Sequence, residues 1–99
     1  MKIKEINGRA IKKALNCRKA SFRYHNKNTR GGNFGFEVRG VKGLDFEISG
    51  NYNNEGFIYG LCVNILYEAD INISLSSFND LVSFIERYAE KKNLLFKSE

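Results

Sequence analysis

Hydrophobic and polar residues recur with two different periods along the chain, and each change of period marks a new element. Over residues 10–17 the apolar residues are spaced as on one face of a helix, with Ile11, Ala14 and Leu15 on that face. Asn7 precedes this stretch, and its short polar side chain suits the N-cap position. The pattern predicts a short N-terminal helix with a narrow apolar stripe, which Ala10 would widen if it faced the core, and basic residues on the rest of its surface.

From residue 21 the period changes to two, which is typical of strands. Residues 21–25 predict a first strand in which Phe22 and Tyr24 share a face, and residues 26–33 have the composition of a loop. The alternation over residues 34–39 and 44–49 predicts a hairpin, with Phe34, Phe36 and Val38 in the core and a turn at 40–43.

The next stretch is bounded by polar turns predicted at residues 50–56 and 68–70. Between them, residues 57–67 are apolar at almost every position, as in a strand covered on both faces or packed against a partner chain. Two interpretations remain open: a central strand inside one core, or a surface whose Ile58, Cys62 and Leu66 bind a second copy or a larger protein. A short last strand is predicted at residues 71–75.

The C-terminal segment predicts a helix capped by Ser76 or Ser77. Its apolar positions recur at helical spacing: Phe78, Leu81, Val82, Ile85, Tyr88 and Ala89. Asn93 is expected to end the helix as a left-handed cap, and residues 94–96 to fold back onto the core. The predicted fold is α+β: an N-terminal helix, an antiparallel meander of four to five strands and a C-terminal helix packed on the sheet, in one compact domain over residues 1–99.

Composition narrows the class of protein. The chain has 99 residues, of which 42% are hydrophobic and 13 are Phe or Tyr, as expected of a folded domain. No stretch approaches the roughly 18 consecutive apolar residues of a membrane span, and the first residues lack the apolar core of a signal peptide. We therefore expect a cytoplasmic protein that does not interact with a membrane.

The charge is distributed unevenly along the sequence. Residues 1–42 contain twelve cations and two carboxylates, a net charge of +10, whereas residues 43–99 carry −5, which together give +5. Such a separation can steer a polyanion towards one side of a small domain. The basic segment is therefore the predicted working surface.

Few residues suit catalysis or metal binding. Cys17 and Cys62 are predicted to be free thiols, and a single histidine cannot complete a zinc site with them, so no metal or other cofactor is expected. A metal-independent ribonuclease, such as a toxin, could use His25 as general base. In that alternative Glu37 or Glu47 would be the acid, and Arg23 or Arg30 would hold the phosphate.

The sequence favours a small non-enzymatic protein that binds nucleic acid, or a protein–nucleic-acid complex, through basic residues of its N-terminal half. The predicted binding residues are Arg9, Lys12, Lys13, Lys19, Arg23, His25, Lys27, Arg30 and Arg39. An alternative is a protein–protein inhibitor encoded by a phage or mobile element, acting on a nuclease or defence complex in the manner of anti-CRISPR or anti-restriction proteins. A homodimer or a larger protein target is compatible with that alternative.

Overall fold

A computed structural model describes residues 1–66 and 69–97 and has two α-helices and one five-stranded antiparallel sheet, which confirms the predicted α+β fold. In chain order the elements are a 3-10 turn at Ile3–Glu5, α1 at Gly8–Leu15, β1 at Lys19–Asn28, β2 at Gly31–Val41, β3 at Leu44–Asn53, β4 at Ile58–Ile65, β5 at Ala69–Asn72 and α2 at Phe78–Lys97. No helix in the described part of the chain has both the length and the apolarity needed to cross a membrane.

The five strands follow one another across the sheet in sequence order, so each hairpin adds a neighbour. Buried side chains of both helices join those of β2, β3 and β4 in one cluster, and these include Phe34, Phe46, Ile11 and Ile85. Both helices therefore cover the same side of the sheet, called here the helix-bearing face. The opposite side, the open face, has no helix on it among the described residues.

Helix α1 begins as predicted, because the Asn7 side chain accepts a hydrogen bond from the backbone N–H of Ala10 at 3.1 Å. It ends at Leu15, since Asn16 adopts a left-handed conformation with φ 49° and ψ 44°. Ile11 and Leu15 are buried, whereas Ala10 and Ala14 are exposed. The apolar stripe is thus narrower than predicted.

The predicted loop at residues 26–33 is wrong, because most of it is strand. Asn26 pairs with Asn33 and Asn28 with Gly31, which leaves a two-residue turn between β1 and β2. Gly31 has φ 134°, and a side chain there would collide with the backbone carbonyl of Tyr52. Glycine therefore allows close approach of β2 and β3 here rather than a mobile loop. The polar turn predicted at residues 50–56 is also shorter than expected, because β3 continues to residue 53.

A β-bulge in β1 changes which side chains share a face. The register with β2 shifts between Phe22 and Tyr24. Phe22 and His25 consequently lie opposite the core residues Phe36 and Phe34, on the helix-bearing face, whereas Tyr24 lies opposite Gly35 on the open face. The prediction that Phe22 and Tyr24 share a face is wrong.

Strand β4 is buried on one face within this chain, so the expectation of cover on both faces is wrong. Leu61, Val63 and Ile65 are buried, whereas Cys62 is half-buried and Tyr59 is 60% exposed. The last residue of the predicted run and the first of the following turn, residues 67 and 68, lie outside the described residues. Residues 69 and 70, predicted as turn, are strand and begin β5.

Helix α2 is capped by Ser77, whose hydroxyl accepts a hydrogen bond from the backbone N–H of Asp80 at 3.2 Å. Leu81, Ile85 and Ala89 form its buried stripe, as predicted. The helix continues to Lys97, so the predicted cap at Asn93 and the predicted return of residues 94–96 are wrong. No glycine or proline stands there to end it, and leucine favours the helix.

Candidate functional site

The predicted binding residues lie in different parts of the fold. They separate into three groups: Arg9, Lys12 and Lys13 on α1; Lys19, Arg23 and Arg39 on the open face; and His25, Lys27 and Arg30 at the far end of the β1–β2 hairpin. The three groups have different surroundings, and these decide which cations are available to a partner.

The open-face group forms an ion-pair network with carboxylates of β2 and β3. Glu37 lies at its centre, with Lys19 Nζ 3.0 Å from one carboxylate oxygen and Arg39 Nε 2.9 Å from the other. Arg39 also lies 3.7 Å from Asp45, and Arg23 donates to Glu47 at 2.6 Å. The network contains as many carboxylates as cations, so this part of the surface has no net charge.

Glu37 is unusual because it is 9% exposed although it faces away from the core. The hydrogen bonds from Arg39 and Lys19 lower the pKa of its carboxyl below the usual value, against an opposing effect of burial. Glu47 lies directly opposite Glu37 in the β2–β3 register, where two bare carboxylates would repel each other. The cations of this network therefore neutralise the sheet surface itself.

His25 and Lys27 of the hairpin-end group line a cleft of about 480 Å³, whereas Arg30 lies in the adjacent β1–β2 turn and is not part of the lining. The cleft lies between the β1–β2 turn, the N-terminal segment and the turn between β3 and β4. Its charged and ionisable lining residues are Lys2, Lys4, His25, Lys27 and Glu55. Three lysines face one carboxylate, and we call this cavity the basic cleft.

The inner wall of the basic cleft is aromatic. His25 Nε2 and Tyr52 Oη lie 2.8 Å apart, and the Tyr52 hydroxyl donates to the backbone carbonyl of Asn26 at 3.4 Å. Phe22 stacks on His25, with ring centroids 4.9 Å apart, although Phe22 does not itself line the cleft. A side chain at position 32 would collide with the Tyr52 ring, so Gly32 permits this arrangement.

Lys2 and Lys4 were not among the predicted binding residues. They reach the cleft because the N-terminal segment pairs with the β3–β4 turn: Ile3 donates its N–H to the carbonyl of Gly56 at 2.8 Å. Lys2 Nζ also lies 4.8 Å above the Phe57 ring. The sequence shows both lysines as part of the basic segment, but a contact more than fifty residues away leaves no local signal.

Many cations of the basic segment are not engaged by carboxylates. Within residues 1–66 and 69–97, eight of them have no side-chain ion pair: Lys2, Lys4, Arg9, Lys12, Lys13, Arg18, Lys27 and Arg30. The group on α1 is exposed, and α1 packs on β1 from the helix-bearing face. Six of these eight cations lie on α1 or line the basic cleft, whereas Arg18 lies between α1 and β1 and Arg30 lies in the β1–β2 turn.

The two cysteines differ in burial. Both are free thiols; Cys17 is buried and Cys62 half-buried. Burial raises the pKa of the Cys17 thiol, which disfavours the reactive thiolate. The residues that the structure describes hold no group of three or more His, Cys, Asp or Glu side chains arranged for a metal ion.

Comparisons with known proteins add no relative to this description: no protein-family model, no curated protein and no solved structure matches the chain.

Proposed function

We propose that this is a small non-enzymatic protein that binds nucleic acid, alone or within a protein–nucleic-acid complex, through phosphate contacts at the basic cleft and α1. The observation that carries the proposal is the convergence of Lys2, Lys4 and Lys27 on one cleft from distant parts of the sequence. A further three unpaired cations lie on α1. A bound polyanion would stabilise three lysines that line one cleft with a single carboxylate, Glu55.

The lining of the cleft suits an anionic ligand such as phosphate. Lysine ammonium groups bind phosphate oxygens as point charges. Asn28, Thr29 and Asn53 add neutral polar groups at the same rim. These contacts position a backbone without reading bases, so we expect binding that depends strongly on salt and weakly on sequence.

The test is the salt dependence of nucleic-acid binding by two variants of equal charge. Lys4→Ala/Lys27→Ala removes two cleft cations, whereas Arg87→Ala/Lys91→Ala removes two exposed cations from α2. Fluorescence anisotropy is measured over a salt series, and each lost phosphate contact lowers the slope of log K against log salt by about 0.7–0.9. We expect the cleft variant to lose affinity and slope, and the α2 variant to retain both. Equal losses in both variants, or no binding by the native protein, would contradict the proposal.

The ribonuclease remains a second candidate because His25 lies in the basic cleft with Tyr52 2.8 Å from its ring. Its predicted acids do not accompany it: Glu37 and Glu47 lie on the open face, in ion pairs with Lys19, Arg39 and Arg23. A labelled RNA incubated with the protein distinguishes the two. Intact RNA supports a binding protein, whereas cleavage that His25→Ala abolishes would replace it with a nuclease.

A further inference from the structure

The open face carries an uncharged patch beside the ion-pair network, towards the β1–β2 turn. It surrounds a shallow depression of about 400 Å³. Side chains from three strands and a glycine from a fourth line it: Tyr24, Asn26, Asn33, Ser49, Asn51 and Gly60. We call this surface the amide patch. Nothing in the proposed phosphate contacts uses it.

An aromatic ring forms one wall of the amide patch. Tyr24 rests on Gly35 of β2, where an added Cβ would lie 2.9 Å from Cζ of the tyrosine ring. Because Gly35 has no side chain, the ring can pack on the strand backbone. Tyr24 is nevertheless 44% exposed, so part of the ring remains available for stacking.

The polar groups of the amide patch include both donors and acceptors. Asn26 donates from Nδ2 to Asn33 Oδ1 at 2.9 Å, which leaves the Asn26 oxygen and the Asn33 nitrogen free of partners among the described residues. The side chains of Ser49 and Asn51 likewise have no protein partner in the part of the chain described. A ligand with a flat ring and an edge of mixed donors and acceptors would satisfy both features.

We propose that the amide patch binds unpaired bases, so that the protein prefers single-stranded nucleic acid; the proposal rests on the proposed function. A base has an aromatic face for Tyr24 and a polar edge for Asn33 and Asn51, and that edge is occupied by pairing in a duplex. A strand whose bases occupy the amide patch can place its phosphates at the cations of the basic cleft. β1 is an edge strand, and Lys27 in the basic cleft follows directly after Asn26 in the amide patch.

The test compares three probes of about ten nucleotides by fluorescence anisotropy: a single strand, an abasic strand with the same number of phosphates, and a duplex. We expect the native protein to bind the base-bearing single strand about tenfold more tightly than the abasic strand. Tyr24→Ala should remove that preference while leaving affinity for the abasic strand unchanged. Tyr24→Phe is the matched control and should retain the preference because it keeps the ring.

Asn33→Ala/Asn51→Ala tests the same patch with the Tyr24 ring in place, and it keeps the proposal testable if Tyr24→Ala does not fold. We expect this variant to have a smaller preference for the base-bearing strand than the native protein. Equal binding of base-bearing and abasic strands, or a preference for base-bearing strands that all patch variants retain, would overturn the inference and leave the proposed function standing. Failure of the native protein to bind any probe at low salt would overturn both.

Discussion

Glu37 occupies an outward-facing position in β2, yet Lys19 and Arg39 cover both of its carboxylate oxygens. The arrangement explains why these two basic residues, which were predicted to bind a ligand, are engaged within the sheet. Arg39 is two residues from Glu37 and shares its face, so that contact follows from strand geometry. Lys19 joins them because it lies opposite Arg39 in the β1–β2 pairing. The alternation of polar and apolar residues does not predict which residues of two strands pair.

We predict that Glu37→Gln destabilises the protein by about 1–2 kcal/mol at neutral pH, because charge-assisted hydrogen bonds are lost. The folded protein lowers the pKa of Glu37, so its contribution to stability is present above the usual carboxyl pKa and is lost as pH falls through the lower, folded-state value. Urea unfolding between neutral pH and about pH 3 measures it.

The native protein should lose more stability over that acidic range than Glu37→Gln does. Glu86→Gln, at an exposed position of α2 with no ion pair to the described residues, is the control and should follow the native curve. Parallel pH curves for the native protein and Glu37→Gln would contradict the assigned role.

At the scale of elements, hydrophobic periodicity predicted both helices, the β2–β3 hairpin and the core positions Phe34, Phe36 and Val38. Hydrophobic periodicity did not predict the parts of strands that are held by backbone hydrogen bonds rather than by apolar side chains. The polar run that ends β1 and begins β2 is paired through Asn26 and Asn33 because its hydrogen bonds need no hydrophobic side chains. Gly31 and Gly32 have the composition of a loop, but their lack of a side chain lets β2 approach Tyr52.

Strand pairing, which the sequence pattern does not reveal, also limits how much of the candidate site could be predicted. His25 and Lys27 were predicted because a basic segment is visible in composition alone. The bulge that turns His25 towards Tyr52 and Tyr24 towards Gly35 is a register shift, and no residue type marks it. Both the aromatic wall of the basic cleft and the ring of the amide patch depend on that one shift.

At the scale of the whole molecule, folding redistributes the charge asymmetry of the sequence. Carboxylates of β3 neutralise Arg23 and contribute to the pairing of Arg39, and Glu90 of α2 pairs with Lys42 at 3.1 Å. The difference between the basic and acidic segments is therefore partly cancelled across strands. What remains is concentrated on α1 and the basic cleft, where the cations have no carboxylate partners among the residues described.

This redistribution predicts that two double variants with the same change in net charge alter different properties, one the nucleic-acid affinity and the other the stability. Lys12→Ala/Lys13→Ala removes exposed cations of α1, and alanine favours the helix, so stability should hold while nucleic-acid affinity and its salt slope fall. Lys19→Ala/Arg39→Ala leaves Glu37 nearly buried without its cations, which should cost about 1–3 kcal/mol of stability. Paired measurements of urea unfolding and anisotropy on both variants check the prediction. If the two variants lost stability and affinity in the same proportion, net charge rather than its placement in the fold would govern both properties.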